Sequence, residues 1–377
     1  MLSISAVSWL GLPRVTFQPE TGHAKIQFTV PDTPREEDGN VPTVSVIVTT
    51  YRRSERLEAC LRPLLDDPAT TELIVVVDGY DDQDAVDVVG RFASADKRVV
   101  LVQIPHGGQR AAHSAGLAKA TAEVVLIMDD DVVAGAGLVS GHARHHHGAD
   151  GLVVAGYMPC WETPLANGVL HLTRAYAAEY EMHCSQYETD PSAVLREHWG
   201  GNVSLRRHDC VRVGFPPWPY RHEDQEFGLR CLRNGLSGVF DRTLYAQHRY
   251  TRGASRFLDE ARSYAFATAF LHAQFPDLLG PFDPDHDLRR RGTVVRLLAS
   301  RVVRPLTSLL PARQVRGLVT KPLVAVAGAA GRWHLSWMES WTFSVAAWIE
   351  SLVGVREFRS QEPLLGVSPV TSRSPLA

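Results

Sequence analysis

The stretch "EVVLIMDDDVV", residues 123–133, carries an uninterrupted apolar run from Val124 to Met128 straight into Asp129, Asp130 and Asp131. A half-exposed strand would alternate apolar and polar residues, so a continuous run of this length reads as a strand covered on both faces. Clustered carboxylates repel one another and lose hydration where a strand end is partly covered, so folding alone gives little reason to place them there. A bound cation or a surface turn removes the difficulty. Three runs of the same kind precede it: "TVSVIVT" (43–49), "ELIVVV" (72–77) and "RVVLVQI" (98–104). Amphipathic segments of helical length separate them, and helices are expected at 53–65, 82–94, 109–120 and 135–147. Strands alternating with helices make an α/β fold with a mostly parallel central sheet, whose ligands bind beyond the carboxyl ends of the strands. Thr49 to Tyr51, Asp78 and the three aspartates all fall on that rim.

On either side of this core the pattern changes. Residues 14–30 alternate around Thr21 and Gly22 as a β-hairpin extension, followed by a polar linker, so 1–42 reads as an appendage to a domain at 43–250. A further strand is expected near 151–157. The stretch 158–198 then reads as a long irregular insertion or lid, with Trp161, Tyr176, Tyr180 and Tyr187 in it and Trp199 just beyond. "HWGGNVSLRR" (198–207) reads as a strand, and "RHEDQEFGLRCLRNG" (221–235) as a helix that opens with acids and closes at Gly235. Residues 251–377 read as a mainly helical region. Between Leu288 and Met338 it has no Asp or Glu, while ten Arg and Lys residues, including Arg289, Arg296, Arg313, Arg316 and Lys321, interleave with Val and Leu. Such a segment fits an anionic membrane surface, or equally a helical cap packed on the core or on another subunit.

The 377 residues, 45% hydrophobic and 21% charged, suit a folded protein with ample core rather than a disordered chain or a coiled coil. A net charge of -3 gives no reason to expect a nucleic-acid partner. Five scattered cysteines with no CxxC pair argue against a disulfide framework or zinc ribbon and fit a reducing cytoplasm. The N-terminus does not read as a signal peptide, and no window is apolar for long enough to read as a transmembrane helix. The expected location is cytoplasmic, either free or peripheral on the inner face of the membrane.

Taken in order, "VSVIVTTYRR", "VVVDG", "GGQRAAHSAGLAKA", "MDDD", "GGNVSLRR" and "HEDQEFGLR" resemble the inverting glycosyltransferases of family 2, which have the GT-A (nucleotide-diphospho-sugar transferase) fold. The resemblance covers about 43–250. It implies a nucleotide-diphosphate sugar as donor and Mn2+ or Mg2+ as cofactor, with a glycan, lipid-linked or small-molecule acceptor. Asp131 is the first candidate for metal ligand. Asp129 would contact the ribose or a metal-bound water, and His248 is a further candidate for metal or phosphate. Hard oxygen ligands suit these cations and leave positions open for phosphates. Thr49 and Tyr51 would line the nucleobase pocket, and Asp78 would accept a hydrogen bond from the base.

Gly107 and Gly108 precede a helix whose free N–H groups could face an anion. The family's Ala-Arg-Asn is here Ala112-His113-Ser114, which leaves Arg110, Arg52 or Arg53 to take over the missing arginine's contact with the diphosphate. Asp224 matches the family's catalytic base, with Glu223 orienting the acceptor or a nearby loop. Gly201 and Asn202 belong to the acceptor half. Trp161 and Trp199 could stack on a sugar there or fill a domain seam. His142, His145, His146 and His147 lack well-spaced partners and read as a solvent-exposed helix end rather than a zinc site.

A sugar nucleotidyltransferase would need a glycine-rich loop with Arg and Lys after the first strand, where this chain has "TTYRRSER". A dinucleotide oxidoreductase would need GxGxxG there. The expected function is therefore a metal-dependent inverting hexosyltransferase, in cell-envelope or lipid-linked glycan (polysaccharide) synthesis. The alternatives are a catalytically degenerate sugar-nucleotide-binding or scaffold protein, or a transferase acting on a soluble natural-product acceptor.

Overall fold

The structure is a computed structural model that describes residues 41–160, 170–249, 254–283, 312–332 and 336–361. The hairpin expected at 14–30, Trp161, and the arginines from Arg289 to Arg304 lie outside the described residues.

The first half alternates strand and helix: β1 (Val44–Thr50), α1 (Ser54–Asp66), β2 (Thr70–Asp78), α2 (Gln83–Ala95), β3 (Val99–Ile104), α3 (Gln109–Lys119) and β4 (Val124–Asp129). β5 (Val132–Ala134), α4 (Leu138–His145), β6 (Leu152–Tyr157), α5 (Leu170–Thr189), α6 (Ala193–Arg196), β7 (Asn202–Arg206) and α7 (Arg207–Val213) follow. Next come α8 (Glu223–Arg233), β8 (Ser237–His248), α9 (Ala254–Gln274) and α10 (Pro276–Leu279). The C-terminal part holds α11 (Ala312–Val315), a π-helical turn (Arg316–Thr320), α12 (Lys321–Arg332) and α13 (Ser336–Gln361).

One sheet runs β3-β2-β1-β4-β7-β6-β8-β5. The first four strands are parallel, β7 is antiparallel to both β4 and β6, and β8 is parallel to β6 and antiparallel to β5. The continuous apolar runs have the reason given by their periodicity, because successive side chains serve opposite faces. Val46, Val48, Val75 and Leu126 pack with Leu57, Leu61 and Leu64 of α1, whereas Ile47, Ile74, Val76 and Val125 pack with Ala112 and Leu117 of α3. Each such fully buried aliphatic side chain contributes roughly 1.5–3 kcal/mol. α4 begins without a side-chain cap of its own, and Asp67 at the end of α1 supplies one, accepting from the Val139 and Ser140 N–H groups at 3.0 and 3.2 Å.

Three expectations need correction. The stretch expected to be irregular is largely α5, a 20-residue helix whose Tyr180, Cys184 and Tyr187 are buried. β5 and the 12-residue β8 were not anticipated from the sequence. The histidine run is not a solvated helix end, since His142 and His146 are fully buried. His142 bonds Ser204 at 2.8 Å and Asn202 at 2.9 Å, and His146 bonds the same Ser204 hydroxyl at 2.8 Å.

The described part of the C-terminal region is helical. α13 lies along α9, where a methyl group placed on Gly354 would come within 2.1 Å of the Arg262 carbonyl oxygen, and Arg262 Nε donates to Glu357 at 2.7 Å. These helices therefore form a packed layer against α8, where Leu271 and Phe275 of α9 meet Leu229. No described helix is long and apolar enough to cross a membrane.

Candidate active site

The carboxyl ends of β1, β2 and β4 place Thr49 beside Asp129 in register and bring Tyr51, Asp78 and the three aspartates to one rim. The aspartates then diverge. Asp130 turns under the sheet, accepting from Thr50 Oγ1 and from Arg53 Nη1, each at 2.8 Å. Asp131 faces Arg53 and Arg56, both at 3.2 Å, and His248 Nε2 at 3.5 Å on its other oxygen. Burial pushes the Asp131 carboxyl up, but His248, Arg53 and Arg56 together outweigh it and hold it below the ordinary range. Asp129 has no such company. Burial first, then Asp131, Asp224 and Asp130, push its carboxyl well above the usual value, with Arg53 the opposing influence.

Across the cleft, α8 presents Glu223 and Asp224 in its first turn. The backbone of Gly200 and Gly201 passes between the two acidic groups. A methyl group on Gly200 would lie 2.7 Å from the Asp224 carboxylate, and one on Gly201 would lie 2.7 Å from Asp129 Oδ2. Gly201 also has φ +100, which disfavours any side chain. These two positions must be glycine for both carboxylates to approach. The Glu223 carboxyl is raised, by burial and then by Asp224.

Several expected contacts are made elsewhere. The Gly107 and Gly108 N–H groups do not point at open space; both donate to Asp78, at 2.7 and 2.9 Å. Asp78 thereby holds the loop before α3, with His106 Nδ1 3.0 Å from the same carboxylate. Tyr51 stacks on His106 with ring centroids 4.1 Å apart, and the exposed Arg52 lies over the Tyr51 ring while pairing with Asp81. Arg110 is directed away from the aspartate cluster, to Glu226 at 2.6 Å and to the Glu223 carbonyl. It lines a cavity of about 20 Å³ together with His113, Gly200, Asp224, Phe215 and Phe227. Among the described residues its Nε and Nη1, and His113 Nε2, have no hydrogen-bond partner. Burial and then Arg110 depress His113 to about 3, so this imidazole is neutral.

Of the residues assigned to the acceptor, Asn202 is committed inside the fold. It accepts from His142 at 2.9 Å and donates to the Leu244 carbonyl at 3.0 Å, so its amide is not a contact for an acceptor. Trp199 stands edge-on to Tyr176, Tyr180 and His183 in an aromatic wall contributed by α5. Arg56, His106 and His222 were not anticipated as part of the site. Arg56 follows Arg53 by one helical turn, a spacing that puts both on one face and would have flagged it.

The donor set fits a divalent cation. Among the described residues no three His, Cys, Asp or Glu side chains converge on one point. Asp131 and His248 nevertheless approach each other, and Asp129 carries crowded negative charge that a cation would relieve. One or two protein ligands completed by phosphate oxygens and water is the usual arrangement for Mg2+, and the imidazole also suits Mn2+.

Comparison with known proteins agrees with this layout. The solved structure of a mannosyltransferase from Pyrobaculum calidifontis, in complex with GDP-Man and Mn2+, superposes with a TM-score of 0.50 at 18% identity, covering 85% of this chain and 91% of that one. At that identity the likeness speaks for the fold, which is GT-A. No curated protein matches the chain. Residues 45–187 match the family model for glycosyl transferase family 2. Residues 45–187 therefore form a family 2 glycosyltransferase domain, which makes the protein a glycosyltransferase.

Proposed function

We propose that the protein is a metal-dependent inverting transferase that moves a sugar from a nucleotide-diphosphate donor to an acceptor hydroxyl. The observation that carries this reading is the placement of Asp129 and Asp224 against opposite sides of the Gly200-Gly201 backbone, with Asp131 and His248 beside them. Asp131 and His248 would hold Mn2+ or Mg2+, whose charge would stabilise the departing diphosphate. Asp129 would face the ribose of the donor. Tyr51 and His106 offer a stacked aromatic surface to the base. Asp224 takes the proton of the acceptor hydroxyl as that oxygen bonds to the anomeric carbon. The bond from that carbon to the phosphate oxygen breaks, its electron pair leaves with the nucleoside diphosphate, and the in-line displacement inverts the anomeric centre. Trp199 and the α5 aromatics supply a stacking wall for a sugar acceptor.

Calorimetric titration with a panel of nucleoside diphosphates, with and without Mn2+, tests the donor site. Selective, metal-dependent binding that is lost in Asp131→Ala is expected. No binding to any of them would favour a degenerate, non-catalytic protein.

A lipid-linked acceptor at the inner face of the membrane is favoured by one further observation. The outward stripe of the helical segment 312–332 exposes Leu318 (69%) and Val326 (44%) with Pro322 and Lys321, where a soluble surface would carry polar residues. No acidic residue occurs in that segment. The full-length Leu318→Gln/Val326→Gln variant should release the protein from anionic vesicles. Unchanged vesicle binding would return this stripe to a packing role and favour a soluble acceptor.

A further inference from the structure

Among the described residues only Arg52 and His222 combine a side chain with positive φ. His222 has φ 65 and ψ 33, a left-handed conformation that is disfavoured for a residue carrying a side chain. It is the N-cap of α8, its carbonyl accepting from the Glu226 N–H at 2.9 Å, yet its side chain makes no capping bond. The residues that follow are Glu223 and Asp224. A conformation that is disfavoured locally persists only where the surroundings hold it, and such positions cluster at functional sites.

The surroundings here belong to α9. His222 Nε2 lies 2.9 Å from Thr268 Oγ1, and the imidazole packs on Tyr264 with ring centroids 4.8 Å apart. The Thr268 hydroxyl spends its own proton on the Tyr264 carbonyl at 2.8 Å, so the Thr268 oxygen is the acceptor and His222 Nε2–H the donor. Next to it, Arg221 reaches the buried Glu260 of the same helix at 3.3 Å. α9 is braced in turn by α13 through Arg262 and Glu357. Asp224 has no slack to absorb a change of entry angle, because its carboxylate already lies against Gly200.

We propose that His222 is a positioning residue, through which the C-terminal helical layer sets the orientation of Asp224. This rests on the reading of Asp224 as the base. The left-handed residue aims the first turn of α8 at Gly200, and the bond to Thr268 keeps it left-handed. The C-terminal layer is on this account part of the catalytic apparatus, acting at a distance from the reacting atoms.

Three variants separate strain from contact. Thr268→Val removes the acceptor at nearly constant volume, His222→Ala removes the bond but keeps the cost of positive φ, and His222→Gly removes both, since glycine adopts this conformation freely. Each is examined by hydrogen exchange across residues 222–230, by thermal melting, and by hydrolysis of UDP-glucose and GDP-mannose with water as acceptor. Thr268→Val and His222→Ala should exchange about ten-fold faster in the first turn of α8 and lose about ten- to a hundred-fold in kcat at unchanged KM for the donor. His222→Gly should recover kcat to within about three-fold of the natural protein. Natural exchange in Thr268→Val, or a His222→Gly variant as slow as His222→Ala, would overturn the proposal. If exchange responds as expected but the natural protein hydrolyses neither donor and binds no nucleoside diphosphate, the coupling of α9 to α8 stands and the transferase reading falls.

Discussion

The two sides of the cleft are built differently. On the donor side, β1, β2 and β4 end together, and each carries its polar residues within a few positions of its last apolar one. On the acceptor side, Asp224, the adjacent Trp199 and Gly200, and His248 come from three separate segments, brought together by β7, β8, α5 and α9. The donor side is a property of parallel strand ends. The acceptor side is a property of packing, with many partners able to disturb it.

Asp224→Asn separates the two sides most sharply. It should lower kcat by about a hundred- to ten-thousand-fold, the range expected for removing a general base, while nucleoside diphosphate binding measured by calorimetry stays as in the natural protein. Loss of both would merge the two sides into one unit. Next in size are Gly200→Ala and Gly201→Ala, whose methyl groups meet Asp224 and Asp129 respectively at 2.7 Å. Each should lower kcat by about ten- to a hundred-fold, but only Gly201→Ala should also weaken nucleotide binding, a contrast read by pairing turnover with titration. Gly354→Leu acts further away. It drives α13 from α9 and should destabilise the protein by about 1–3 kcal/mol in urea denaturation, with kcat falling more than donor affinity.

The smallest effect concerns the buried histidine network beneath β7. Burial, the main influence, depresses His142 to about 3. Above pH 6.5 the imidazole is neutral in both folded and unfolded chains, so its contribution to stability is fully present. As pH falls below 6.5 the unfolded chain takes a proton that the fold refuses, and stability is lost down to about pH 3. Groups such as Asp129, raised in the fold, act with the opposite sign, so the informative quantity is a difference between variants. His142→Gln keeps a donor for Asn202 and does not titrate. Between pH 6.5 and 5 the natural protein should lose up to about 1.4 kcal/mol per pH unit more than this variant, measured by denaturant midpoint at constant m.

The same division explains what could be read in advance. β1 to β4 and α1 to α3 are legible within a residue or two, because covered parallel strands announce themselves as apolar runs and the helices between them are amphipathic. β8 is not legible. Its sequence "SGVFDRTLYAQH" is half-exposed along most of its length and becomes regular only where it pairs with β5 and β6. The inward face of α5 is carried by Tyr176, Tyr180, His183 and Tyr187 at helical spacing, but these are tyrosines and a histidine rather than aliphatic residues, so no apolar stripe marks it as helical. Asp129, Asp131 and Asp224 stand out as acids at the ends of elements. That Asp78 is taken up by two loop N–H groups, and Asn202 by a histidine on α4, depends on contacts made far along the chain. His142 and His146 were misread for the same reason, since the serine that satisfies them lies on β7.

The return of β8 has a consequence for how the protein is made. Val132 pairs with His248, and the Arg249 N–H closes onto the Asp131 carbonyl at 2.8 Å, so the strand that follows the acidic motif finds its partner only late in the chain. During translation, the parallel strands β1 to β4 can assemble while the remainder is still being synthesised, whereas pairing over so long a separation is slow and comes last. A growing chain that has passed residue 187, where the family match ends, would still have its three aspartates on an open edge without His248. If His248 holds the cation with Asp131 as proposed, donor chemistry is withheld from the nascent protein until β8 has been built beside β5.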